Sequence, residues 1–286
     1  MKTSRKVVFV INPQREEALL AAQQISKELL HQGFELFTVS DVIVTGLLKT
    51  DLKSLPICEL VVVLGGDGTI LRGAEVAREH DIALLGINLG HVGFLAEVEK
   101  VALSEVSKAI VEKNYVMDPR MVLSYVVHRN GSAVDSGWAL NEVTVERNST
   151  TMVDLFVEID SRPLSRWGCD GLICSTPTGS TAYAFSAGGP VVWPEVEALV
   201  LLPISAHALF ARPMVVSPQS EIIVVVESPD AQLSADAIRK FPLLLGDRVQ
   251  INKDRSIVKL AHLKGTLFTD RLVAKFKLPV EGWRGE

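Results

Sequence analysis

A chain of 286 residues, 48% apolar and 22% charged, can bury a core without disulfide or metal staples, and its length favours two domains or one domain with a large lobe. Its 29 basic and 34 acidic residues leave a net charge of −5. No Lys/Arg block exceeds two adjacent residues, which argues against a duplex nucleic-acid groove and a polybasic membrane surface. The longest apolar runs, such as Leu60–Leu64 and Ile222–Val226, are strand-length and too short to cross a bilayer as a helix. Asn12-Pro13 interrupts the first apolar run too early for a secretory leader. Three cysteines without CxxC spacing point to a reducing, cytoplasmic compartment.

In chain order, Lys6–Ile11 reads as a strand. Arg15–Gln32 reads as a helix, with Ala18, Leu19, Ala22, Ile25, Leu29 and Leu30 on one face and Gly33 placed to end it. Strands are expected at Phe34–Val39, Glu59–Leu64 and Ile82–Ile87, and helices at Thr69–His80 and Val101–Lys113. Continuous apolar strands separated by helices indicate a parallel sheet covered on both faces. After Met121 the rhythm changes. Val122–His128 and Trp138–Glu146 flank Asn130-Gly131, a hairpin signal. Short strands are expected at Val153–Ile159, Leu172–Ser175, Met214–Ser217, Glu221–Glu227, Arg248–Asn252 and Ile257–Ala261, and a short helix around Asp270–Lys277. Such closely spaced strands suggest an antiparallel second domain. The expected division is an α/β domain over 1–118, an all-β domain over 119–265 and a tail over 266–286.

Three stretches could carry chemistry. Gly65-Gly66-Asp67-Gly68-Thr69 joins a strand to a helix, where open main-chain N–H groups and the helix start suit a phosphate. The plainer alternative is a tight turn in which Asp67 or Thr69 caps the helix. The loop is neither GxGxxG nor a lysine-bearing P-loop. A second glycine-rich strand end spans 86–97 (GINLGHVGFLAE), so that seven of the chain's 20 glycines fall within 65–93. Phe94 there could stack on an adenine, although a simple connection would read the same. The third stretch, 170–190 (DGLICSTPTGSTAYAFSAGGP), is crowded with hydroxyl side chains and leads into a helix expected near Ser180. It suits a sugar- and phosphate-bearing ligand, or else is an irregular surface loop. Asn141-Glu142 interrupts an apolar strand, WALNEVTVE. The amide can pair with an adenine edge and the carboxylate with a ribose diol.

In this order, GGDGT at 65–69, NE at 141–142 and the long stretch at 170–190 closely resemble the NAD kinase family, ATP- or polyphosphate-dependent NAD 2′-phosphotransferases. LGHVGFLAE and RPMVV near Arg212 match as well, and the similarity runs over essentially the whole chain. GCDGL and the ending FTDRLVAKFKLPVEGWRG look most like actinobacterial members. The resemblance implies an α/β N-terminal domain, an all-β C-terminal domain and a tail packing back on the first. It also implies an NAD cleft between domains, a homodimer or homotetramer, and Mg2+ with ATP or inorganic polyphosphate as donor. Carried onto matching positions, Asp67 is the base or orienter for the adenosine-ribose 2′-hydroxyl, with Gly68 and Arg72 by the phosphates. Asn141 meets adenine, Glu142 a ribose hydroxyl, and Asp170 the nicotinamide end or a neighbouring ribose. Thr181, Ala182, Tyr183 and Ser186 line the dinucleotide pocket, with Phe94 against a base. Many members carry an acidic-Gly-Gln segment where this chain has Ser234-Ala-Asp-Ala-Ile238, so no site residue is carried over from 234–238. No His/Cys/Asp cluster has metal-ligand spacing, and the metal ligands stay unassigned.

Two other readings compete. A diacylglycerol- or sphingoid-type lipid kinase also uses a GGDGT loop, but lacks TPTGSTAY, and no amphipathic helix for membrane docking is evident here. A non-catalytic dinucleotide-binding regulator would need no acid in the glycine loop, so Asp67 counts against it.

Overall fold

The computed structural model describes residues 4–89, 103–263 and 267–280. The chain forms two compact units: one runs to Pro119 and takes the chain up again from Val258, and the other is Arg120–Ile257.

The first unit begins with β1 (Lys6–Ile11), α1 (Glu16–His31), β2 (Glu35–Thr38), β3 (Leu47–Lys49), β4 (Leu60–Leu64), α2 (Asp67–Glu79), β5 (Ala83–Ile87) and α3 (Leu103–Glu112). Every pairing here is parallel: β1 lies between β2 and β4, β3 flanks β2, and β5 flanks β4. All residues of β4 and β5 are buried, which is why these strands read as continuous apolar runs rather than alternating ones. Val7, Phe9, Leu60 and Val62 share a core with Ala18, Ala22, Ile25 and Leu29 of α1 and Val106 and Ile110 of α3. Since neighbouring strand residues point to opposite faces, Val63 belongs to the other layer, and α2 covers it. Gly73 lets α2 come so near that any side chain there would overlap Val63. The expected helix at 69–80 starts two residues earlier, placing Asp67 in its first turn.

The chain then passes through β6 (Tyr115–Arg129) into the second unit, with β7 (Ser132–Ala139), β8 (Glu142–Arg147), β9 (Val153–Ile159), β10 (Arg162–Cys169) and β11 (Gly171–Ser175). A 3-10 turn (Gly179–Thr181) and the single-turn helix α4 (Tyr183–Ser186) follow. Then come β12 (Leu199–Ile204), β13 (Met214–Val216), β14 (Ile222–Val226), β15 (Ala231–Ala235), β16 (Arg239–Leu243) and β17 (Arg248–Leu263). Asn130-Gly131 is the two-residue turn between β6 and β7, with both φ values positive, 51° and 80°, as a type I′ turn requires. One antiparallel sheet has the order β13-β12-β11-β8-β15-β16, and β10, β9, β14 and the start of β17 form a second antiparallel layer. Val143, Val145, Leu172 and Leu201 of the first pack with Leu155, Val157, Trp167 and Val224 of the second. The outer face of the first sheet, Ile173, Val200 and Leu202, is covered by Ala184 and Val192, which ties the stretch around α4 to the sheet. Beyond Val258, Leu260 and Ala261 of β17 pair in parallel with Leu84 and Leu85, and α5 (Phe268–Phe276) follows.

The fold class is therefore the expected one, a parallel α/β unit and an antiparallel β unit, with several corrections. Trp138–Glu146 is two strands, because the main chain leaves one ladder at Ala139 and joins another at Glu142. Arg248–Asn252 and Ile257–Ala261 are one strand; the polar residues Lys253–Ser256 between them leave the extended backbone unbroken. The helix expected near Ser180 is split at Ala182, whose φ and ψ of −102° and −124° belong to no helix. β3, β10, β12, β15 and β16 were not anticipated.

Candidate active site

The glycine turn sits at the carboxyl end of β4. Gly65 takes φ +156°, and a side chain there would run into Thr69 Oγ1 and, at 3.1 Å, Asn12; only glycine fits. Its N–H donates to Ile87 O at 3.1 Å, and Asn12 N–H donates to Leu64 O at 3.0 Å, which gathers the ends of β1, β4 and β5 around the turn. Gly66 is the N-cap of α2, and no side chain caps the helix, so the capping role considered for Asp67 and Thr69 is not found. The first N–H groups of such a helix lack intrahelical partners and carry its positive end. A side chain on Gly68 would meet nothing within 4 Å; its neighbours do not demand a glycine there, and the space stays open to an incoming group.

Asp67 is exposed, yet partial desolvation raises its carboxyl above the usual carboxylate range, and Lys275 of α5 partly offsets this. Arg72 lies exposed on the next turn of α2. Sequence reasoning missed Arg15, at the N-cap of α1. Its Nη2 lies 3.6 Å from where a Gly66 Cβ would stand, which puts a guanidinium over the glycine turn. The available signal was an arginine just past the end of β1, on the same sheet edge as GGDGT.

In the second unit, Asn141 and Glu142 are 7% and 6% exposed. Asn141 Oδ1, Glu142 Oε2 and Thr144 Oγ1 are buried with no hydrogen-bond partner among the described residues. Buried polar atoms without partners are costly and rare, and call for an absent ligand or water. Desolvation first, then the nearby Asp236 charge, raises the Glu142 carboxyl to about 8, against the Tyr183 main-chain N–H, which favours its charged form. At neutral pH the group keeps its proton and can both donate and accept.

Glu142 opens onto a cavity of 260 Å³ lined also by Thr144, Glu146, Arg147, Tyr183, Gln232, Ser234, Ala237 and Lys240. A 440 Å³ neighbour shares Glu146, Arg147 and Tyr183 and adds Asp170. Asp170 pairs with Arg147 Nε at 2.7 Å, and Tyr183 Oη reaches Glu146 Oε2 at 3.4 Å. Thr181 is half-buried, its hydroxyl donating to Thr178 O at 3.2 Å; Ala182 N–H donates to Gly179 O at 2.9 Å; Ser186 is exposed. Glu142, Asp170 and Tyr183 thus line adjoining cavities, whereas Asn141, Thr181, Ala182 and Ser186 line neither. Asp67, Gly68 and Arg72 are grouped in the first unit. Phe94 lies outside the described residues. Ser234 and Ala237, in the segment from which no site residue was expected, line the cavity.

Among the described residues, no group of three or more His, Cys, Asp or Glu could hold a metal ion, and no helix is long and apolar enough to cross a membrane.

Residues 7–115 match the model of the ATP-NAD kinase N-terminal domain, and residues 140–263 that of the ATP-NAD kinase C-terminal domain. The chain is 46% identical to the NAD kinase of Thermobifida fusca, over 99% of this chain and 92% of that one. It is 47% identical to NAD kinase 2 of Streptomyces coelicolor, over 98% and 97%. The fold matches yeast NADH kinase solved with NADH at a TM-score of 0.86 and 23% identity, covering 99% of this chain and 90% of that one. It matches an Archaeoglobus fulgidus NAD kinase solved with ATP at 0.71 and 26%, covering 96% and 98%. With both domain models matched and relatives of this similarity along nearly its whole length, the chain belongs to the NAD kinase family of phosphotransferases.

Proposed function

We propose that this chain transfers the terminal phosphoryl group of ATP to the adenosine-ribose 2′-hydroxyl of NAD, producing NADP and ADP. The observation that carries the reading is that Asn141 Oδ1 and Glu142 Oε2 are buried without a hydrogen-bond partner among the described residues, in a chain whose relatives are named NAD kinases. An amide oxygen kept empty accepts from an exocyclic amine such as that of adenine. A protonated carboxyl can donate to one ribose hydroxyl and accept from another. Asp170 and Tyr183 extend the polar lining toward the rest of the dinucleotide, with Thr181, Ala182 and Ser186 alongside. The A. fulgidus relative solved with ATP supports ATP as a donor.

Phosphoryl transfer passes through a loose transition state, so positioning and charge neutralisation matter more than a strong base. The 2′-oxygen forms the new bond to the terminal phosphorus as the bond to the ADP oxygen breaks, and the hydroxyl proton passes to the Asp67 carboxylate. The raised pKa of Asp67 suits a group that receives a proton late. The N–H groups at the start of α2, with Arg15 and Arg72, would hold the phosphates. A divalent cation such as Mg2+ enters as part of the donor, the metal–ATP complex.

A donor and acceptor panel on purified protein tests the proposal. ATP or polyphosphate is offered with NAD, NADH or a dispersed diacylglycerol, and the phosphate position is read by 31P–1H NMR. Phosphate on the 2′-oxygen of NAD from ATP is expected; a phosphorylated lipid, or phosphate on another hydroxyl, would refute it.

A further inference from the structure

We propose that Asp236 is a positioning residue for the Asn141–Glu142 pair: it fixes the main chain that aims both side chains at the dinucleotide, without touching the dinucleotide itself. The inference rests on the NAD kinase reading above.

Leu140 and Asn141 lie between β7 and β8, outside either ladder, so their main-chain groups need other partners. Asp236, 3% exposed, supplies them. Its Oδ2 accepts from Leu140 N–H at 2.8 Å and its Oδ1 from Asn141 N–H at 2.7 Å, while its own N–H donates to Glu142 O at 3.1 Å. The opposite side is held as firmly. Thr176 Oγ1 donates to Leu140 O at 2.6 Å, and Thr176 N–H to Asn141 O at 2.8 Å. The pair is therefore clamped between Asp236 and the start of the 176–181 stretch. A clamp of this kind fixes the main chain that carries both side chains and keeps Asn141 Oδ1 and Glu142 Oε2 from relaxing onto the nearest donor.

Burying an anion costs several kcal/mol unless it is paired and hydrogen-bonded. Here Arg239 Nη1 stands 3.6 Å from Asp236 Oδ2; the same guanidinium donates to Trp138 O at 3.0 Å and stacks 4.4 Å from the Trp138 ring centre. The turn that presents the carboxylate is itself unusual, with Asp236 and Ala237 at φ 53° and 56°. Ala237 lines the 260 Å³ cavity, and Asp236 is not among its lining residues. Glu142 lines that cavity, and the hydrogen bonds of Asp236 run to the main chain of Leu140, Asn141 and Glu142, so Asp236 acts through that junction.

The test is a double-mutant cycle. Asp236→Asn is made in the wild-type chain and in an Asn141→Ala/Glu142→Gln background, with kcat and both KM values measured. In the wild-type chain the NAD KM is expected to rise about tenfold while the ATP KM stays within about twofold. In the double-substituted background the same change should move the NAD KM by less than about twofold. Equal factors in both backgrounds, an unchanged NAD KM, or NAD and ATP KM values rising together would overturn the proposal. If Asp236→Asn does not fold, Arg239→Met, which removes the counter-charge, is read the same way, and an unmoved NAD KM overturns the proposal. A wild-type chain that neither binds nor phosphorylates NAD removes the functional reading, and this inference with it.

Discussion

Gly179 lies directly against the main-chain carbonyl of Asn141, so closely that any side chain on Gly179 would overlap that carbonyl and Ser175 Oγ. The glycine of TPTG is thus required by the neighbouring strand junction, whatever a ligand asks of it. Gly179→Ala must push the junction aside. We expect a loss of about 1–3 kcal/mol in stability, typical of overpacking, with a raised NAD KM, measured by urea denaturation and steady-state kinetics. A variant as stable as the wild type would show that the close approach is relaxed in solution.

Asp67→Asn tests the proton acceptor. The change keeps size and polarity but removes the base, so NAD should bind within about threefold of the wild-type affinity while kcat falls on the order of 100-fold or more. Calorimetry and initial rates separate the two effects. Near-normal turnover would remove Asp67 from the chemistry.

Arg15 over the glycine turn predicts a selective defect. Arg15→Ala should raise the ATP KM by about tenfold, the loss of one charge-assisted contact, and leave NAD binding alone. A matching loss in both substrates would mean that the side chain only supports the fold.

The pH dependence of stability follows from Glu142. Its folded-state pKa of about 8 lies above the ordinary 4.5, so between those values the native state holds a proton that the unfolded chain has released. The stabilisation is complete below pH 4.5 and is lost as pH rises through 8. The wild type should therefore lose stability relative to Glu142→Gln between pH 5 and 8, as read by urea midpoints in the absence of ligand. A pH-independent difference between the two would contradict a protonated Glu142.

The fold class and the glycine turn were legible because their causes are local. Buried parallel strands make continuous apolar runs, and Gly65 is forced by its own dihedral and by Thr69 four residues away. β15 and β16 went unseen because each is only five residues long without a β-branched side chain, and Pro242 interrupts β16. Asn141-Glu142 was visible as a break in an apolar strand, but its cause is 95 residues distant, where Asp236 accepts from Asn141. Hydrogen bonds of that separation leave no trace in spacing. Arg15 was hidden in the same way, since its place over Gly66 depends on β1 lying beside β4.

The most direct measurement incubates the purified chain with NAD, ATP and Mg2+ and follows NADP with an NADP-specific dehydrogenase, alongside ADP release. One ADP per NADP is predicted, with formation abolished by EDTA and nearly so by Asp67→Asn. NAD bound at the Asn141–Glu142 site with no NADP formed, or ADP released only when a lipid acceptor is present, would contradict the account.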